Sequence, residues 1–203
     1  MGLLIAGLVV FLGVHLLRVF SEEQRTRLIQ TYGALAFKGA YSIVSVVGFI
    51  LIVAGYAAAR TDPVILYTPP TGMAHAASLF TLVAFVLLVA AYIPGNWFLL
   101  KLKHPMTLAV KTWALGHLLA NGGLHDLLLF GGFLIWAILV FRSARKRLPV
   151  SNPGLADGLP AVIASKPSSM LGTVATLAIG LGAWAWFAFQ GHALLIGVAP
   201  FAR

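Results

Sequence analysis

The stretch Lys103-His-Pro-Met-Thr-Leu-Ala-Val-Lys-Thr-Trp-Ala-Leu-Gly-His-Leu-Leu-Ala-Asn-Gly-Gly123 is where this chain shows what it is. Pro105 sits where a helix tolerates proline best, in the first turn, and Asn121-Gly122-Gly123 stops the helix and reverses the chain. Between those marks lies an apolar run that nevertheless holds Lys111, with His104 and His117 near its two ends. An apolar helix with sharp boundaries and ionisable groups inside it predicts a membrane span that does more than fill the bilayer.

Composition gives the same class. The 203 residues are 60% hydrophobic and 9% charged, and the mean hydropathy of +0.96 is too high for a soluble domain with a polar shell. Continuous apolar runs lack the alternation of a membrane barrel, so the backbone must satisfy its own polar groups as helices. The expected fold is an all-α polytopic bundle, a single integral-membrane domain over residues 1–203. The absence of cysteine excludes disulfides, thiolate metal ligands and thioether attachment of a c-type haem. A net charge of +9 is spread over the loops, which suits orientation in a bilayer rather than a nucleic-acid partner.

Working outward, six spans are expected. The first, Leu3–Phe20, lacks the positive start of a signal peptide and reads as a span of the mature chain. A polar helical segment from Ser21 to Phe37 precedes the second span, about Gly39–Ala59. Thr61–Gly72, with Asp62-Pro63 and Pro69-Pro70, reads as an exposed loop. The third span is about Ala74–Ile93, ended by Pro94-Gly95-Asn96, after which Trp97, Lys101 and Lys103 suit the membrane interface. The fourth starts at Pro105, and the Asn-Gly-Gly reversal leads into the fifth, about Leu124–Phe141. Residues 143–169, with four prolines, read as a cytoplasmic surface loop before a last span at 170–190.

Charge then orients the bundle. Arg18, Arg25, Arg27, Lys38, Lys101, Lys103, Arg142, Arg145, Lys146, Arg147 and Lys166 fall on one side, and only Arg60 and Arg203 on the other. Both termini are therefore expected on the non-cytoplasmic side of a bacterial inner membrane.

All five acids lie in loops or at span ends, so histidine and Lys111 are what remain for chemistry at depth. His117 shares a helix face with Met106, Val110, Trp113 and Asn121, while Lys111, seven residues from His104, shares that residue's face. Lys111 should lean back toward the cytoplasmic interface, either snorkelling or offering a cation to a propionate or phosphate. His75 and His117 are both near the outer surface, His15 and His104 near the inner one, and His125 and His192 read as solvated. His15 and His117 differ in depth by roughly 12–16 Å but lean toward each other. Two imidazoles in a dry bundle suit the axial positions of a b-type haem, whereas zinc or copper usually wants a third ligand. Each histidine can equally be a helix-to-helix tie.

The segments Tyr92-Ile-Pro-Gly-Asn96, His104-Pro-Met, Val110-Lys-Thr-Trp-Ala-Leu-Gly-His117-Leu-Leu-Ala-Asn-Gly122 and Leu128-Leu-Phe-Gly131, with His15-Leu-Leu-Arg18 and His75, resemble the NnrU family of bacterial membrane proteins over about residues 1–147. That resemblance implies a link to denitrification, through expression or activity of nitrite and nitric oxide reductases, with respiratory reductase subunits as partners. NnrU proteins in turn resemble the 15-cis-zeta-carotene isomerases, haem b enzymes, which implies His15 and His117 as ligands and a redox or isomerase activity. Depth alone favours His75 with His117. More distantly, His104-Pro105 resembles the Arg-His-Pro-x-Tyr motif of isoprenylcysteine carboxyl methyltransferases and membrane sterol reductases, with Lys103 and Thr107 at the arginine and tyrosine positions. The expected alternatives to a haem protein are thus a non-catalytic scaffold or assembly factor, or an enzyme using S-adenosylmethionine or a nicotinamide cofactor. Small residues at Gly48, Gly55, Gly172, Gly180 and Gly182 suit close packing within the chain or in a homo-oligomer.

Overall fold

The computed structural model describes residues 1–146 and 168–201, and among these every long element is a helix. They are α1 (Gly2–Phe20), α2 (Glu22–Tyr32), α3 (Ala34–Ala59), α4 (Met73–Ala90), α5 (Trp97–Leu102), α6 (Pro105–Ala120), α7 (Leu124–Lys146), α8 (Met170–Trp186), a π-helical turn (Phe187–Gly191) and α9 (His192–Ile196). Five helices are long and apolar enough to cross a membrane: α1, α3, α4, α7 and the continuous run Met170–Ile196. On α3, Ile43, Val46, Phe49, Ile50 and Val53 are each more than half exposed, a surface made for acyl chains rather than water. This is a multi-pass membrane protein.

The expected boundaries shift for local reasons. The second span begins at Ala34 rather than Gly39, because the break falls at Gly33, whose φ of 83° is the left-handed region glycine adopts freely. The polar segment before it is α2, an exposed helix laced by Arg25–Glu22 and Arg27–Glu23 pairs at 3.0 and 2.6 Å. The fifth span continues to Lys146, so Ser143–Lys146 are helical rather than the start of a surface loop. Most of that loop lies outside the described residues. The last span runs past residue 190 to Ile196 through the π-helical turn. The fourth expected span, α6, has 16 residues, about 24 Å of helix, and is the one that falls short of the full crossing length.

The chain divides into two compact units. The first holds Met1–Thr68 and Asn121–Val140. Its α1 and α3 run antiparallel with their backbones nearly touching: a Cβ on Gly7 would stand 2.6 Å from the Ile52 nitrogen, one on Gly48 2.8 Å from the Phe11 nitrogen, and one on Gly55 would run into the Leu4 backbone. In lipid, where water no longer drives apolar surfaces together, such close approach supplies the dispersion contacts that hold helices side by side. Leu4, Leu8, Leu12 and Ile52 form the core, and Leu128, Leu129, Phe133 and Trp136 of α7 close over it.

The proline-rich connection is exposed as expected, yet it is tied down. Leu66 N–H donates to the Gly122 carbonyl at 2.8 Å, Leu124 N–H to the Val64 carbonyl at 2.8 Å, and the Tyr67 hydroxyl to the Asn121 carbonyl at 2.8 Å. A Cβ at Gly122 would collide with the Tyr67 carbonyl, so the Asn-Gly-Gly reversal is also the strip on which this loop is laid.

The second unit holds Pro69–Ala120 and Phe141–Arg203. Here α4 is the central helix. Gly116 of α6 packs on Phe80 and Ala77, and Gly180 of α8 on Val86, with ideal Cβ positions 2.7 Å from Phe80 Cβ and 2.8 Å from Val86 Cα. Gly182, by contrast, has nothing within 4 Å, so the packing role expected of it is not one it plays inside the unit. Asn96 is fully buried at the corner after α4: its Nδ2 donates to the Ala90 and Ile93 carbonyls and its Oδ1 accepts from Leu99 N–H at 2.9 Å, capping α5. Ser169 N–H donates to the Gly95 carbonyl at 2.8 Å, which fastens the start of α8 to the same corner.

Candidate functional site

His15 belongs to the first unit; His75, His104, Lys111 and His117 belong to the second. His15, half-buried, has its ring 4.3 Å from Phe11, 5.3 Å from Tyr41 and 6.1 Å from Trp136, the last edge-on. Its Nδ1 stands 2.6 Å from the Phe11 carbonyl. A carbonyl only accepts, so Nδ1 carries the hydrogen and the neutral ring keeps its lone pair on Nε2. The neighbouring Trp136 Nε1 is buried with no hydrogen-bond partner, an indole N–H left over beside that ring.

His117 repeats the arrangement in the second unit. Its Nδ1 donates to the Trp113 carbonyl at 2.9 Å, and the Trp113 ring lies 5.2 Å away. The i, i+4 spacing of a helix is what allows both bonds: a histidine leaning toward the helix N-terminus reaches the carbonyl one turn back. A backbone carbonyl holding Nδ1–H fixes the tautomer, orients the ring and makes Nε2 more basic, which is how metal-ligating histidines are prepared.

His75 is exposed at the start of α4, its ring stacked with Phe201 at 6.3 Å and 23°. Since Gly116 packs against Ala77, His117 and His75 stand at the same level of the α4–α6 pair. His104 and Lys111 are brought together. The Lys111 ammonium sits 3.7 Å from the centre of the Phe141 ring, and His104 meets the same ring edge-on at 6.0 Å.

One cluster departs from the sequence expectation. His125, expected to be solvated, is 5% exposed, and Asp126, expected at an open span end, is 6% exposed. Tyr56 O–H donates to Asp126 Oδ1 at 2.5 Å, Gly123 N–H to Asp126 Oδ2 at 3.1 Å, and His125 Nε2 lies 3.6 Å from Asp126 Oδ2. A buried carboxylate is therefore present after all, held by the end of α3 and the start of α7. The signal was half a capping box, an acid three residues after the glycine that caps α7. What no pattern announced was the tyrosine 70 residues earlier that covers it.

Among the described residues no three histidine, cysteine, aspartate or glutamate side chains gather to hold a bare metal ion. A macrocycle that brings its own four nitrogens needs only one or two protein ligands, and the donor chemistry of His15 and His117 fits that requirement. No curated protein and no solved structure matches the chain. A scan against protein families matches residues 3–200 to the family described as NnrU protein, so the likeness first seen over residues 1–147 extends through the last span, and the chain belongs to the NnrU family.

Proposed function

We propose that this NnrU-family protein binds haem b through transmembrane histidines and supports denitrification from the bacterial inner membrane, with a redox or isomerase activity of its own. The observation that carries the haem reading is the bond shared by His15 and His117, Nδ1–H to the carbonyl four residues back, which fixes the tautomer and orients each ring as metal-ligating histidines are oriented. Haem b, when bound, supplies a one-electron iron couple. His117 is the first ligand in this reading; His15 or His75 is the second. The orphan N–H of Trp136 is a donor for a polar group carried beside His15.

The same proposal takes the chain across the bilayer six times with both termini on the non-cytoplasmic side. The bonds from Leu66 N–H to the Gly122 carbonyl and from Leu124 N–H to the Val64 carbonyl support this, because they hold the loop after α3 and the reversal before α7 together on one face of the membrane. In this reading α4 carries the chain away from that face and α6 carries it back. With about 24 Å of helix, α6 needs its flanking turns or local thinning of the bilayer to do so.

The test is absorbance of detergent-purified protein from haem-replete cells. A Soret band is expected, lost in His117→Ala and shifted or weakened in His15→Ala. Wild-type protein with no Soret band, recovered with a reductase subunit, sinks the haem reading in favour of a scaffold. An unchanged spectrum in His117→Ala removes that residue as ligand.

A further inference from the structure

Phe141, near the end of α7, gathers three nitrogen-bearing side chains in the second unit. Lys111 Nζ lies 3.7 Å from its ring centre, Arg145 Cζ 5.7 Å and the His104 ring 6.0 Å. Arg145 is four residues beyond Phe141 on the same helix face, while His104 and Lys111 come from the first two turns of α6 and the residue before it. Three of the five carboxylates are engaged elsewhere: Glu22 and Glu23 pair with Arg18, Arg25 and Arg27, and Asp126 with Tyr56 and Gly123. Among the described residues none pairs with Lys111 or Arg145.

The ring face recovers part of what the half-buried Lys111 ammonium loses by leaving water. It does nothing for the repulsion between two fixed cations on one ring, which an anion between them would turn into attraction. Apolar neighbours say what kind of anion. Leu115, one turn after Lys111, is 41% exposed, and Leu119, one turn further along the same helix face, is 38% exposed. Acyl chains can lie over these while the exposed Arg142, Arg145 and Lys146 sit at headgroup level.

We propose that Lys111, Arg145 and His104, gathered on Phe141, seat the phosphate of an anionic phospholipid. The site is separate from the haem proposal and gives Lys111 and His104 a ligand other than a propionate.

The test is native mass spectrometry of the full chain in mild detergent, titrated with phosphatidylglycerol or phosphatidylcholine. Phosphatidylglycerol is retained in preference. Lys111→Met and Arg145→Gln each weaken its retention about fivefold, the effect of one basic charge at an anionic lipid, and Lys111→Arg restores it. Arg145 is exposed, so Arg145→Gln reads out binding even where Lys111→Met disturbs packing. Equal retention of the two lipids, or unchanged retention in well-folded Arg145→Gln and Lys111→Met proteins, overturns the proposal. So does displacement of the lipid by millimolar inorganic phosphate, which would make this a free-phosphate site.

Discussion

At the scale of single residues, Asp126 shows how a buried charge is made tolerable. Its two oxygens accept from a tyrosine hydroxyl and a backbone N–H, with His125 Nε2 at 3.6 Å, so the carboxylate trades water for fixed donors. Tyr56→Phe removes the donor at 2.5 Å and leaves Oδ1 without it. The expected loss is about 1–3 kcal/mol, seen as earlier thermal unfolding in detergent with no change in any Soret band. A variant that unfolds like the wild type would mean that the hydroxyl is not holding the carboxylate. Asn96 is a parallel case. From sequence it is a polar residue in a Pro-Gly-Asn turn, and nothing local tells that its side chain is wholly buried and bonded to the end of α4 and the start of α5. Turn chemistry is written in neighbouring residues; burial is decided by elements far along the chain.

At the scale of elements, apolar runs and their Gly and Pro boundaries carry most of what the fold needs. Pro105 and the Asn-Gly-Gly reversal mark real helix ends, and polar α2 is visible from its charge spacing, although its break from α3 at Gly33 is not. Small residues inside a span are ambiguous, because a glycine looks the same whether it faces a helix or open lipid. Gly55 and Gly182 make the contrast measurable. A side chain at Gly55 meets the Leu4 backbone, whereas one at Gly182 meets nothing within 4 Å. Gly55→Val should force α1 and α3 apart at a cost of about 3 kcal/mol or more, appearing as poor recovery or a lowered melting temperature. Gly182→Val should be neutral in the isolated protein. If Gly182→Val proved the damaging one, its face would have to be an interface between copies. The histidines follow the same logic: their spacing was readable, but the bonds from Nδ1 of His15 and His117 to carbonyls one turn back depend on rotamers that no pattern specifies.

For the whole molecule, membrane class follows from composition alone, and the number of crossings turns on α6. Its 16 residues include Lys111, and its apolar stretch is shorter than those of the five long helices, so length argues against a crossing while charge bias and chain connection argue for one. The Leu66–Gly122 bond bears on the proposed sixth crossing, since a hydrogen-bonded loop pair cannot straddle a hydrocarbon layer. The chain has no cysteine, so single cysteines can be introduced on a silent background. In intact cells a membrane-impermeant maleimide should label Asp62→Cys and Asn121→Cys alike, since residues 62 and 121 flank that bond. In the six-span reading Lys101→Cys, exposed in α5, should label only after permeabilisation. If 121 instead labels together with 101, α6 lies along the surface, five spans remain, and the basic residues at the end of α7 move to the outer face against the charge bias. In that event His117 leaves the bilayer, and with it goes the reason to expect iron on its Nε2.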